Sequence, residues 1–581
     1  MIGAVETAAH IALAEPDRDL FGDGPGNHRS QAALAPARDL RGVVYTKPWV
    51  VDLILDLVGY RSSHDLAERY AVEPAAGEGA FLLPMIRRLL VSLEAHGHQL
   101  TDVEHALHAY EIDASAARRL VDLATRELLK HGAPARQAHE VAEGWVTTGD
   151  YLLNASKDRS ADFVVGNPPY IRYDDLPAGV FARYRRVLPT MIGRGDIYIG
   201  FFEAGLRQLR QGGALGFICA DRWMRSAYGV ELRRLISAGY SMEAVIEMHE
   251  APAFEENVSA YPAVITIRRA PQGSTLVASG GATAGPAPGG RNLADGVIDL
   301  ADRGQGDVPG FSATRVADWV KGSSPWPSLQ SHRLELLRHL EERYRPLEDE
   351  YTGTKVGIGV ATGADRVYVT QDASVVEPER LLPLAMSEDT RGGVVNWSGH
   401  YLVNPWQANG NLVDLDVYPR LRQYLEARRD ALERRHIVRN KAKNWYRTID
   451  RVNHRLIRQD KLYFPDMKLM SNPTLDVGKT YPHHNLYYLT SDLWDLEVLG
   501  GLLLSKVAEL FIEAYCVKMR GGTLRFQAQY LRRIRVPDPA SLAPSLNERL
   551  RHAFQARDAQ AATSAAVEAY GIGDRAAVFG C

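Results

Sequence analysis

Along the first half of the chain, short apolar runs alternate with stretches of helical period, the pattern of a parallel sheet joined by crossover helices. Trp49, Val50, Leu53, Ile54 and Leu57 predict a helix behind Pro48, whose missing N–H costs nothing in a first turn, with Thr46 as its cap. Apolar runs predict strands near 70–73, 107–110, 145–148, 163–165, 214–219, 244–247 and 263–267, the last closing the sheet. Helices are expected from Phe81 to about Leu90, over 196–209 and over 229–236. From 271 to about 310 the chain is rich in Gly, Ala, Ser and Pro without periodicity, which predicts a linker or disordered insertion. Leu334, Leu336, Leu337 and Leu340 then begin a helix, and Val356 to Val369 reads as two strands around a turn. The expected division is a flexible arm at 1–40, an α/β domain at 41–270, a linker at 271–330 and a mixed α/β domain at 331–581.

Composition narrows the class. A chain of 581 residues calls for two or three domains, and its net charge of -3 gives no global sign of a nucleic-acid partner. Any basic surface must be local. Between Arg420 and Lys461 stand 14 Lys or Arg against 5 Asp or Glu, interleaved with Tyr424, Trp445 and Tyr446, which fits a phosphate-contacting surface. Cys219, Cys516 and Cys581 are widely separated, which argues for a reducing, cytoplasmic compartment and against zinc or disulfides. No apolar run reaches membrane-spanning length, and the first forty residues lack a secretory pattern.

The candidate chemistry collects at strand ends. Asp162 to Tyr170 reads Asp-Phe-Val-Val-Gly-Asn-Pro-Pro-Tyr: a buried strand stopped by Pro168 and Pro169, which leaves Asn167 and Tyr170 at its carboxyl end. That edge of an open parallel sheet is where ligands bind, and an amide beside an aromatic ring suits a flat, amine-bearing substrate. After the first strand, which ends at Glu73, the run Pro74-Ala75-Ala76-Gly77-Glu78-Gly79-Ala80-Phe81 allows a tight turn and close backbone approach to a ligand. It lacks the spacing of a dinucleotide loop and the Lys-Ser/Thr of a phosphate loop. Glu111, ending the second strand, can accept both hydroxyls of a ribose. Asp150 follows the third.

This succession resembles the gamma-arranged S-adenosylmethionine-dependent N6-adenine DNA methyltransferases of restriction-modification type, specifically over Arg41 to Arg268 and generally over Ser331 to Pro539. The resemblance implies a class I methyltransferase fold, a doubly wound and mostly parallel sheet, followed by a mixed α/β target-recognition domain. It implies S-adenosyl-L-methionine as cofactor, held by Thr46 and Glu73 at its methionine end, by Gly77, Gly79 and Glu111, and at its adenine by Asp150 and Phe201. Asn167 and the Pro168 carbonyl would accept from the target amine. Tyr170 and Phe254 would stack on an adenine rotated out of double-stranded DNA. No metal is implied, and a restriction activity would sit on a separate endonuclease or defence-system protein. The alternatives are a protein-glutamine or ribosomal-RNA methyltransferase, or an inactive DNA-binding module on the same fold.

Overall fold

The computed structural model describes residues 44–580 except 156–159, 257–260, 318, 321, 329–330, 436, 439–443, 469 and 517–523. The arm expected at 1–40 lies outside the described residues. One sheet holds β1 (Ala71–Glu73), β2 (Leu107–Glu111), β3 (Val146–Thr148), β4 (Ala161–Gly166), β5 (Leu209–Ala220), β6 (Ser241–Glu247), β7 (Pro262–Arg268), β8 (Thr275–Gly280) and β9 (Phe311–Val316). Its order is β3-β2-β1-β4-β5-β7-β6-β8-β9. Strands β1 to β5 pair in parallel, as do β6 and β8, whereas β7 runs antiparallel between β5 and β6.

Connecting helices are α1 (Pro48–Val58), α2 (Leu82–His96), α3 (Ala114–Lys130), α4 (Ala135–Trp145), α5 (Tyr151–Asn154), α6 (Ala178–Val187), α7 (Tyr198–Gln208), α8 (Val230–Gly239) and α9 (Leu293–Arg303). Successive strand residues point to opposite faces, so β5 shows how the sheet is covered. A Cβ on Gly216 would meet Val58 and Ile54 of α1, whereas Gly205 of α7 lies against Leu215 and Phe217. Helices therefore lie on both faces, which is why Val164, Val165, Leu215, Phe217 and Ile218 are all buried.

Two expectations about this region need correction. Ala263–Ile267 does not close the sheet, and 271–310 is no linker: β8, α9 and β9 continue the fold. Strand β8 is six residues long and buried except at Ser279, which is partly exposed, and its Gly-rich flanks hid it. Asn292 caps α9 through a bond from Asp295 N, and Leu293 and Val297 are its buried face. Thr46 is not a helix cap either; Lys47 occupies that position in α1, without a side-chain bond.

The described chain forms two compact units, one comprising residues through Ser312 with Ala317–Ser324, the other Ala313–Val316 with the chain from Pro325. In the second, Lys355–Ile358, Leu486–Thr490, Asp460–Pro465 and Thr474–Val477 form a sheet in that order. Val369–Thr370, Tyr401–Val403, Leu381–Ala385 and Tyr481–Pro482 form another. Helices Leu496–Leu504, Lys506–Tyr515, Pro544–Ala556 and Ala559–Ala569 complete the unit. The stretch expected to be two strands around a turn is a strand, a helical turn at Asp365–Tyr368 and a two-residue strand, because Thr362 Oγ1 accepts from Ala364 N and redirects the chain.

Candidate active site

The carboxyl ends of β1, β2 and β4 bring most of the expected residues to one edge. Strand β4 ends at Gly166, and the prolines after Asn167 remove two backbone donors that could have continued it. Asn167 Nδ2 donates to Val44 O at 2.8 Å and to Thr46 Oγ1 at 3.1 Å. A backbone carbonyl only accepts, so these bonds fix which way the amide faces. Asn167 Oδ1 is left buried and without a hydrogen-bond partner among the described residues. The Tyr170 hydroxyl is in the same condition, and burial pushes its pKa well above the ordinary range.

Phe254 reaches this edge from the loop after β6. It pairs through a backbone bridge with Thr46, flanked by Lys47 N donating to Ala253 O and Glu255 N to Tyr45 O, each at 3.0 Å. Thr46 therefore holds the amide through its side chain and the aromatic loop through its backbone. The Tyr170 and Phe254 rings meet edge to face, centroids 6.4 Å apart at 87°. At that angle the two rings do not form a pair of parallel walls.

The glycine loop lies between β1 and α2. Gly77 has φ +54 with open space where a Cβ would stand; Gly79 has φ +86 and would place a Cβ 2.8 Å from Leu120 Cδ1. Glu111 accepts from Gly77 N at 2.9 Å and from Asp113 N at 2.8 Å, one bond per oxygen, leaving further acceptor capacity on both. Glu73 is 1% exposed, and its Oε2 has no partner among the described residues. Burial drives its carboxyl well above the usual carboxylate range, opposed by the Leu82 and Phe81 N–H groups and reinforced by the Glu111 charge. Such a group is satisfied by a cation or a donor arriving from outside.

At the end of β3, Asp150 caps α5 by accepting from Leu152 N at 3.0 Å and takes the Tyr184 hydroxyl at 2.9 Å. Phe201 on α7 stacks on Tyr151, centroids 5.8 Å apart at 20°. Tyr151 and Tyr184 are partners that the sequence reading missed. Tyr184 lies 34 positions from Asp150, so no local spacing announces it.

In the second unit the basic stretch behaves differently from its sequence expectation. Trp445 is buried in the core, and Tyr424 and Tyr446 pack against it. Arg435 donates to Thr362 O and Trp445 O, Arg428 to Tyr424 O, and Lys461 is buried against Asp476. These aromatics and cations hold the unit together; Arg451, Arg455 and Arg458 are among those that remain exposed. Of the expected closing motif at Lys518 to Phe526, residues 518–523 lie outside the described residues.

A mostly parallel sheet in which β7 runs antiparallel between β5 and β6, with a glycine loop and acids at its carboxyl edge, has the architecture of a class I methyltransferase. In fold the chain is similar to the solved type IIL restriction-modification enzyme MmeI in complex with DNA, with a TM-score of 0.56, 12% identity, and 91% of this chain and 74% of that one covered. A family model described as Eco57I restriction-modification methylase matches residues 94–254. The chain is 42% identical over 540 residues to the type II methyltransferase M.PaeR7I of Pseudomonas aeruginosa, covering 92% of each. It is 41% identical to M.XhoI of Xanthomonas vasicola, over 92% of this chain and 98% of that protein. M.BstVI of Geobacillus stearothermophilus is 35% identical, over 88% and 92%. The chain belongs to the type II methyltransferases of restriction-modification systems. Among the described residues, no helix is long and apolar enough to cross a membrane.

Proposed function

We propose that this chain is a site-specific DNA methyltransferase that moves a methyl group from S-adenosyl-L-methionine to the exocyclic N6 amine of an adenine turned out of the duplex. Its place would be the modification arm of a restriction-modification or defence system, with cleavage carried by a separate protein. The observation that carries this reading is the tethered Asn167 amide, whose donor side is occupied by Val44 O and Thr46 Oγ1 and whose oxygen is buried and unpartnered among the described residues. An acceptor fixed in advance lowers the barrier where an amine becomes cationic, because nothing reorganises as the charge appears.

The residues present fit the cofactor. Glu73 supplies a buried, under-satisfied carboxylate for its cationic end, Glu111 has acceptor capacity for ribose hydroxyls, and the space beside Gly77 admits close approach. Gly79, Asp150, Phe201 and Thr46 complete the proposed set. When bound, the cofactor supplies an electrophilic sulfonium methyl. Asn167 Oδ1 and the Pro168 carbonyl orient the amine, and Tyr170 and Phe254 offer faces to the base, whose amine is otherwise engaged in pairing.

Incubating duplex DNA with labelled cofactor and digesting it to nucleosides tests the reading. The label is expected on N6-methyladenine. Label on methylcytosine, or in protein or ribosomal RNA with none in DNA, would overturn it.

A further inference from the structure

In the second unit, three side chains from distant parts of the chain converge. Asp365 begins the helical turn Asp365–Tyr368, and His483 and His484 follow the strand Tyr481–Pro482. Asp365 Oδ2 lies 3.2 Å from His483 Nε2 and 4.0 Å from His484 Nδ1, and one ligand atom from each residue fits within 4.8 Å of the others.

The backbone under this cluster is fixed. His483 N donates to Ala385 O and His484 N to Val360 O, both at 3.1 Å. A Cβ on Gly359 would fall 2.1 Å from His483 O, so only glycine lets the two segments approach this closely. Thr362 Oγ1 donates to Asp365 Oδ1, which orients the carboxylate and leaves Oδ2 to the histidines.

An ordinary hydrogen-bond network leaves this cluster incomplete. One Asp365–His483 bond accounts for two of the three atoms, yet His484 Nδ1 is buried without a hydrogen-bond partner among the described residues. Buried polar nitrogens in this condition call for a water or an ion. Zinc bonds of about 2.0–2.2 Å at tetrahedral angles place ligand atoms roughly 3.3–3.5 Å apart; the Asp365–His483 separation of 3.2 Å is already at that spacing, and the 4.0 Å from Asp365 to His484 Nδ1 has to shorten for His484 to join.

We propose that Asp365, His483 and His484 bind a zinc ion, with the fourth position open to water, and that the ion ties the Val360–Asp365 turn to the segment after Pro482. The other cluster of metal-type residues, Asp221, Glu247 and His249, is a different case. There the Asp221 charge is already met by the buried Arg225, which a cation would have to displace.

The test uses the full-length chain, purified without a histidine tag and stripped with a chelator. Titrated with zinc alone, it is expected to take up one ion per chain and to melt at a higher temperature when loaded. Cobalt(II) should give the intense visible bands of a tetrahedral site. His484→Ala, at a side chain 39% exposed and therefore tolerant of change, should weaken zinc on the order of a hundredfold while circular dichroism stays the same. Asp365→Asn should do likewise. Less than one-tenth of an ion per chain at tens of micromolar zinc would overturn the proposal even if a variant failed to fold, as would undiminished binding in both variants.

Discussion

Asn167 separates what binds from what reacts. Its amide hydrogen-bonds Val44 and Thr46, and of the residues proposed to hold the cofactor Glu73, Glu111 and Gly77 make their own bonds without it. Replacing it by alanine should lower turnover by about a hundredfold or more and leave cofactor affinity within a few-fold, read by single-turnover kinetics beside calorimetry. A parallel loss of cofactor affinity would mean that the amide holds the site together instead. Glu73 makes a prediction of opposite kind. Its carboxyl is pushed up by burial, so in the free protein it holds its proton to higher pH than an ordinary glutamate. A cationic ligand favours the ionised form, so binding should release a proton below the raised pKa, and affinity should fall as pH drops through it. Calorimetry in buffers of different ionisation heat detects that proton. Glu73→Gln should abolish the release, and an identical heat in every buffer would assign the group no such role.

Strands and helices of the first unit were legible where a period and a stop signal coincided. The double proline after Asn167 and the glycines after Glu73 marked β4 and the β1–α2 turn, and the acid-ended strands fell within a residue or two of their expected bounds. What the sequence concealed was the far edge of the sheet. Strand β8 is short and sits among Gly, Ala, Ser and Pro, a composition that mimics a linker, and only its pairing with β6 makes it a strand. A fragment ending at Ala270 therefore removes Leu276, Val277, Leu293 and Val297 from the core, at roughly 1.5–3 kcal/mol for each large apolar side chain, and bares one edge of β6. That sum is comparable to the whole stability of an ordinary domain. The Ala270 fragment should aggregate, whereas one ending at Ser324 should stay in solution and melt cooperatively; equal solubility and melting temperature would show that β8 and α9 contribute nothing.

Taken whole, the molecule shows why charge counting misled in its second unit. A net charge of -3 turns attention to local surfaces, yet the richest basic run proves to be partly a scaffold. An arginine donating to several carbonyls at once, as Arg435 does, is indistinguishable in sequence from one facing a phosphate. The same blindness covered Asp365, which lies 118 positions from His483 and meets it only through two sheets of distant strands. The antiparallel β7 carries a last consequence, for how the protein is made. It lies in the sheet between β5 and β6, but the ribosome delivers it after both. At about 5–20 residues per second, β6 waits on the order of a second or more without its inner neighbour. Throughout that interval the edges of β5 and β6 that β7 will fill stand open, and both strands complete their pairing only when the chain has passed Arg268.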